Sequence, residues 1–335
     1  MLSLVIVAKK KYNYLDNIDN MEKSAMKKKL FFVFNPTAGK AQIKNRLLEI
    51  VDLFTKCGYD VLAHPTQNEL DAYEQVRARA KDVDMIVCCG GDGTLNEVVS
   101  GLMKIDKRPP LGYIPSGSTN DFATSLAIPK DFRKATTAIA EGTPYPCDIG
   151  RFNGDTFVYV AAFGAFTNVA YETEQTWKNA LGHIAYILEG ARSIFNIKSY
   201  PLEIEANGEI YKDEYIYGMI TNSKSVGGFK NLTGKHVKLD DGLFEVVLIR
   251  NPKNPLELNE IVTSLLSGDD KSELIDSFKT DKIVISGEQA LSWTLDGEFG
   301  GEHHAVTIVN EKHAIEIVLN PRNKKENIPM KSVNE

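Results

Sequence analysis

Three rhythms of apolar and polar positions succeed one another along this chain. Residues 1 to about 26 have none beyond the short apolar run Leu2–Ala8, which gives way to polar, aperiodic sequence. From Leu30 onward, Leu30–Phe34, Tyr59–Ala63, Met85–Cys89 and Leu111–Ile114 are brief apolar runs without polar alternation, the signal of strands covered on both faces. Between them, apolar residues recur at helical spacing. Ile43, Leu47, Leu48, Val51 and Phe54 predict a helix over about 41–57, stopped by Gly58. Helices are also predicted over 69–81, 95–104 and 132–141. Strands that alternate with helices imply a mostly parallel, doubly wound sheet, whose strand-end turns share the edge where open α/β sheets take ligands.

A third rhythm begins beyond Tyr145–Gly150. Strands are predicted over 156–162, 202–206, 214–221, 244–249, 282–286, 291–295, 305–310 and 314–319, with Asn207-Gly208 as a two-residue hairpin turn. Helical inserts are predicted near 173–194 and 255–276. The fold class is therefore α/β plus β: an N-terminal doubly wound, mostly parallel sheet domain with a C-terminal β-sandwich-like domain. The expected divisions are a disordered extension over 1–27, an α/β domain over 28–148 completed by 312–325, a β-rich domain over 149–311, and a loose tail over 326–335.

Composition changes this picture little. A formal charge of −6, with no basic tract, argues against a nucleic-acid partner. Four cysteines without framework spacing suit a reducing, cytoplasmic setting, and adjacent Cys88 and Cys89 on one strand point to opposite faces as packing residues. No run reaches the ~18 apolar residues of a membrane span.

Candidate chemistry concentrates at Gly90-Gly91-Asp92-Gly93-Thr94, where an apolar strand turns through glycines into a helix. Thr94 is expected to cap that helix, with Glu97 completing a capping box. A turn of this kind offers backbone N–H groups beside a helix N-terminus, which suits phosphate. Its spacing is neither the P-loop nor the dinucleotide pattern. A carboxylate among phosphate-binding amides makes sense only with a cation or hydroxyl between it and the anion.

This stretch resembles the nucleotide-binding signature shared by diacylglycerol, sphingosine and NAD kinases and the phosphofructokinases. Pro115-Ser116-Gly117-Ser118-Thr119-Asn120-Asp121-Phe122 resembles the Pro-x-Gly-Thr-x-Asn-Asp-Phe motif of bacterial diacylglycerol kinase-like lipid kinases, in place of the turn found in NAD kinases. Asn35-Pro36-Thr37-Ala38-Gly39-Lys40 is similar to that family's opening loop, Asp240-Asp241-Gly242 to its Asp-Asp-Gly segment, and Asp296-Gly297-Glu298 to its Asp-Gly-Glu turn. With five motifs in order over about 28–321, the chain is identified as a member. Two departures stand out: Ser118 replaces a threonine but keeps the hydroxyl, and Thr124 stands where many members carry arginine.

The resemblance implies an ATP-dependent lipid kinase that transfers the γ-phosphoryl of MgATP to a lipid hydroxyl, first of all that of diacylglycerol. A sphingoid base or another lipid alcohol is the alternative acceptor. An NAD kinase-like enzyme or a non-catalytic lipid- or nucleotide-binding regulator are the alternative functions. It assigns Asn35, Pro36, Thr37, Ala38, Gly39, Thr66, Gly91, Asp92, Gly93, Thr94, Leu95, Asn96, Glu97 and Ser118 to the nucleotide. Asp92, Asp121 and Asp148, each at a predicted strand end, would form a network around catalytic Mg2+. Glu298 would be the general base. Asp241, with the carbonyls of Lys238 and Leu243, would hold a second, structural magnesium. On their own residues Asp121 and Asp148 read equally as Asx turns or caps, Asp241 as a loop residue bonding to backbone, and Glu298 as an ordinary turn glutamate. A lipid substrate met at the inner face of the membrane by a peripheral, cytoplasmic protein completes the expectation, with homodimerisation open. Residues 161–169 and 185–195 are candidates for an acceptor pocket.

Overall fold

The computed structural model of the chain describes residues 27–164, 198–226, 229–230, 237–267 and 272–320. The expected N-terminal extension, the 173–194 insert, most of the acceptor-pocket candidates and the C-terminal tail lie outside the described residues.

Four parallel strands form the first part: β1 (Lys28–Phe34), β2 (Tyr59–Pro65), β3 (Met85–Gly90) and β4 (Leu111–Pro115), in the order β2-β1-β3-β4. Their carboxyl ends are level, with Phe34 opposite Cys89 and Gly90 opposite Pro115. Helices α1 (Leu47–Lys56), α2 (Asp71–Arg79), α3 (Asp92–Leu102), α4 (Asp121–Ser125) and α5 (Phe132–Ala140) follow the strands. Ala72 and Val76 of α2 and Leu95 and Val98 of α3 pack with Phe31, Ile86 and Cys88. Ile50 and Phe54 of α1 and Phe132 and Ile139 of α5 pack with Phe32, Val87 and Cys89. The adjacent cysteines thus enter two different cores, as strand alternation requires. Each fully buried aliphatic or phenyl group in these cores is worth about 1.5–3 kcal/mol.

Two expectations fail here. The helix predicted over 41–57 is a single turn at Ala38–Ala41, a 3-10 turn at Gln42–Asn45, and then α1. Ala41, at φ 57°, interrupts it, yet Ile43 stays buried, so the apolar spacing survives the break. The capping box is absent as well. Helix α3 begins at Asp92 with Gly91 as its cap, which leaves Thr94 inside the first turn.

The second part adds β5 (Thr143–Phe152), β6 (Asp155–Phe157), β7 (Val160–Gly164), β8 (Tyr200–Ala206), β9 (Glu209–Thr221), β10 (Phe244–Arg250), α6 (Pro255–Ser267), β11 (Ile275–Thr280), β12 (Lys282–Leu295) and β13 (Glu298–Leu319). Asn207 and Gly208, at φ 55° and 78°, make the expected hairpin turn between β8 and β9. Helix α6 is shorter than predicted because the chain re-emerges as β11. Trp293 is fully buried between Phe152 and Phe163, each ring centroid 5.0 Å away.

Strand β13 is the principal difference from expectation. Where two short strands were predicted, one 22-residue strand runs antiparallel to β12 in its first half and to β5 in its second. Near its end Ile317 pairs in parallel with Leu111 of β4. A register shift between Glu311 and Ile315, with His313 at φ 53°, gives the bend that lets it change neighbours. All but the two-residue strands of a short ribbon therefore belong to one 13-stranded sheet, ordered β11-β10-β9-β7-β12-β13-β4-β3-β1-β2 along its main path. An N-terminal mixed α/β part and a C-terminal β-rich part share this sheet.

Candidate active site

Three loops meet at the carboxyl edge of the parallel strands. After β1, Asn35 donates its backbone N–H to the Cys89 carbonyl at 2.9 Å, and its Oδ1 accepts from both the N–H and the hydroxyl of Thr37. Its side-chain amide reaches Thr94 Oγ1 at 3.4 Å. Pro36 and Ala38 follow in this turn, and Gly39, at φ 52°, lies so close to the Ser116 carbonyl that a Cβ would overlap it. After β2, Thr66 extends the ladder by donating its N–H to Phe34 O at 2.9 Å. After β4, Ser116 donates its N–H to Gly90 O at 2.8 Å. A Cβ on Gly117 would stand 2.6 Å from Gly91 Cα, so two glycine backbones face each other across the edge.

Asn120 shapes the third loop. At φ 54° it bonds through its side chain to the N–H and carbonyl of Gly117, and its own N–H donates to Asp92 Oδ2 at 2.9 Å. Tyr113 reaches the same amide oxygen and Gly90 O. Asp121 then opens α4, almost fully buried. Asp92 opens α3, and its Oδ1 is buried with no hydrogen-bond partner among the described residues. Burial first, then the carboxylates of Asp121 and Asp296, push Asp92 up to about 7. A buried, partnerless carboxylate oxygen beside a second carboxylate suits a cation.

Asp296, the other carboxylate acting on Asp92, has its own oxygens taken by N–H donors, and Asp148, expected in the network around Asp92, bonds elsewhere. Asp148 lies within β5, not at a strand end, and its two oxygens accept the N–H groups of Gly242 and His313 at 2.6 and 2.8 Å. It serves the loop around Asp241 instead. Burial raises its carboxyl, and His313 and Asp241 are the charges acting on it.

Of the triplet Leu95, Asn96 and Glu97, the last two line the cleft that Gly93 shares with Glu298. Leu95 is buried in the core. Glu97 Oε2 accepts the Ala72 N–H at 3.1 Å, so it caps α2, whose preceding residue Leu70 sits at φ 63°. Asn96 donates to Asp296 Oδ2 at 2.7 Å. Glu298 follows the two-residue turn Asp296-Gly297, both at positive φ, and begins β13. A Cβ on Gly93 would lie 3.8 Å from Glu298 Oε1, which puts this exposed carboxylate over the first turn of α3. A cleft of about 1050 Å3 opens there, lined among others by Gly93, Asn96, Leu295, Glu298 and Phe299. Ser118 lies in the third loop beside Gly117.

At the expected structural metal site, Asp241 bonds to its own loop and to two lysines. Asp241 Oδ1 accepts the Leu243 N–H at 3.1 Å and Oδ2 the Lys279 ammonium at 3.3 Å, while Lys312 reaches the Asp241 carbonyl at 3.3 Å. Two ammonium groups thus supply positive charge beside Asp241, while the ligands expected with it are the backbone carbonyls of Lys238 and Leu243. Among the described residues, no group of three or more histidine, cysteine or acidic side chains converges on one point as a metal cage would.

The family model for the diacylglycerol kinase catalytic domain matches residues 29–152, and that for the YegS C-terminal NAD kinase beta sandwich-like domain matches residues 160–318. A diacylglycerol kinase of Bacillus subtilis (strain 168) is 34% identical over 277 residues, 82% of this chain and 91% of that protein. This chain belongs to the diacylglycerol kinase family. Another diacylglycerol kinase, of Staphylococcus carnosus (strain TM300), is 35% identical over 294 residues, 87% of this chain and 95% of its own length. Two crystal structures from Bacillus anthracis str. Sterne each cover 88% of the chain. One, covered to 96%, has a TM-score of 0.74 at 26% identity; the other, of a diacylglycerol kinase and covered to 98%, has 0.68 at 24%. In this lipid kinase of the family, Gly93 of the first turn of α3 and Glu298 line one cleft. Asn120, Asp296 and Tyr159, which donates its hydroxyl to Asp296 O, are further candidate site residues that the sequence did not single out. The Asp-Gly pair at a hairpin tip was a legible signal for Asp296.

Proposed function

We propose that the enzyme transfers the γ-phosphoryl group of MgATP to the free hydroxyl of diacylglycerol, giving phosphatidate. The observation that carries this reading is the placement of Glu298 Oε1 over Gly93 at the N-terminus of α3. A base and a phosphate-binding turn then face the same small volume, as in-line transfer requires.

The edge loops hold the triphosphate through backbone N–H groups, and the α3 N-terminus adds about 0.3–1 kcal/mol per anion. Asn35 fixes the first loop against Thr94, and Asn120 the third against Asp92. The partnerless Asp92 Oδ1, beside Asp121, fits the magnesium that accompanies ATP. That ion supplies neutralisation of phosphate charge. Glu298 accepts the hydroxyl proton as the acceptor oxygen bonds to γ-phosphorus, and the bond from γ-phosphorus to the β–γ bridging oxygen breaks to release ADP. Diacylglycerol, itself a membrane lipid, is met at the membrane surface. Among the described residues no helix is long and apolar enough to cross a bilayer.

The test offers γ-labelled MgATP side by side with micellar diacylglycerol, a sphingoid base and NAD. Label in phosphatidate supports the proposal; label only in the sphingoid product or in NADP removes diacylglycerol as the acceptor. Glu298→Gln is expected to keep ATP affinity while kcat falls about 10²–10⁴-fold. An unchanged kcat would leave Glu298 a turn residue only.

A further inference from the structure

The tip of the β12–β13 hairpin is held by an unusual concentration of bonds. Asp296 is 5% exposed, and its carboxylate accepts four N–H donors. Oδ2 takes the backbone N–H of Val158 at 2.6 Å and the side-chain amide of Asn96 at 2.7 Å. Oδ1 takes the backbone N–H groups of Tyr159 and Val160 at 2.9 and 3.0 Å. The backbone of Asp296 is held too: its N–H donates to Val160 O at 2.9 Å, and its carbonyl accepts the Tyr159 hydroxyl at 3.3 Å.

One carboxylate therefore joins three elements: the hairpin tip, the link between β6 and β7, and helix α3. The Asn96 contact matters most for geometry. Asn96 lies one turn beyond Gly93 on α3, and Glu298 is two residues beyond Asp296 on the hairpin. The bond from Asn96 to Asp296 is a side-chain link from the helix to the tip that carries Glu298. A tip otherwise formed by a two-residue turn ends in an exposed glutamate, with exposed Phe299 following it. Nothing in Glu298 itself fixes its distance from Gly93.

We propose that Asp296, gripped by Asn96 and the backbone amides of residues 158–160, is a positioning residue that sets Glu298 at its working distance from the first turn of α3. The proposal rests on the reading of Glu298 as base. A four-donor carboxylate is well suited to the task, because charge-assisted bonds are short and directional. An amide in its place can accept at one atom only and turns an N–H toward Asn96 or Val158. A displacement of about 1 Å at a reacting group can cost about 10²-fold in rate.

The experiment is a double-mutant cycle between Asp296→Asn and Glu298→Gln in the full-length enzyme, with kcat, ATP affinity and amide exchange measured for each. Asp296→Asn is expected to lower kcat by about 10²-fold with ATP affinity kept. It is also expected to raise exchange at residues 297–300 while leaving β1 and β3 protected. In the Glu298→Gln background the same substitution is expected to change kcat by no more than about twofold, because no base remains to be displaced. Losses that multiply across the cycle, or an Asp296→Asn enzyme with unchanged kcat, overturn the proposal. If Asp296→Asn does not fold, Asn96→Ala, which removes one donor of four, enters the same cycle with a smaller loss expected. Should Glu298→Gln alone leave kcat intact, the base assignment fails and the proposal with it. Should the wild-type enzyme label no lipid, the acceptor reading fails, and exchange at the tip still decides whether Asp296 holds it.

Discussion

Asp92 answers to two demands at once. Its carboxylate is placed where a cation would neutralise it, yet in the bare protein burial and two neighbouring carboxylates raise it to about 7. Its proton affinity is therefore higher folded than unfolded, where the ordinary value near 3.8 applies. The linked stability is fully present below that ordinary value and is lost as pH rises through about 7. The difference sets an upper limit of about 4 kcal/mol, reduced by whatever solvent reaches the site. Asp92→Asn, neutral at every pH, is expected to unfold at a higher temperature than wild type at pH 8, by a margin that shrinks toward pH 5, while turnover is abolished. Thermal melts of both proteins without nucleotide measure this. An Asn variant no more stable at pH 8 would show that the cluster is not strained. Burial likewise raises Glu245 to about 7 against the opposing charge of Lys279, so part of the pH dependence survives in the variant.

At the scale of elements, short-range patterns were readable and long-range ones were not. The four parallel strands and the β8–β9 turn follow from local apolar runs and an Asn-Gly pair. Glu97 shows where that legibility stops. Its spacing from Thr94 suggested a cap for its own helix, but the helix starts two residues earlier and Glu97 reaches across to α2. No spacing rule in one segment encodes a bond to another. Glu97→Ala is expected to cost about 1 kcal/mol in urea unfolding, the usual worth of a cap, with ATP affinity unchanged. A lost ATP affinity would return Glu97 to the nucleotide. The Asp241 loop is a similar case, since Lys279 and Lys312 approach from β11 and β13. A rise in melting temperature on adding magnesium that is lost in Asp241→Asn would support a metal held there. An equal rise in both proteins would leave the loop to its lysines.

For the whole molecule, the candidate site was legible as a set of motifs but not as a geometry. The glycine loops, Asp121 and Glu298 are candidates readable as pattern, whereas the neighbours of Asp148 and Asp296 depend on which strands come together. The link between the parts is β13, which starts at Glu298 and ends beside β4. A fragment ending at residue 152 leaves the β4 edge without its neighbour and strands β5 without β13. It is expected to aggregate or stay unfolded by circular dichroism; a folded, monomeric fragment would show that the parallel sheet closes without β13.

Strand β13 also bears on how such a chain can change by descent. Its first residue is the proposed base and its last residues finish the sheet on which ATP is proposed to rest, so a genetic segment for the β-rich half has no clean far boundary. Exchanging the β-rich half between related genes by a single crossover would bring a foreign closing strand to the parallel sheet. A viable hybrid needs a second crossover near the bend at residues 311–315, and innovation in acceptor choice is then confined to insertions and loops rather than to whole-module replacement.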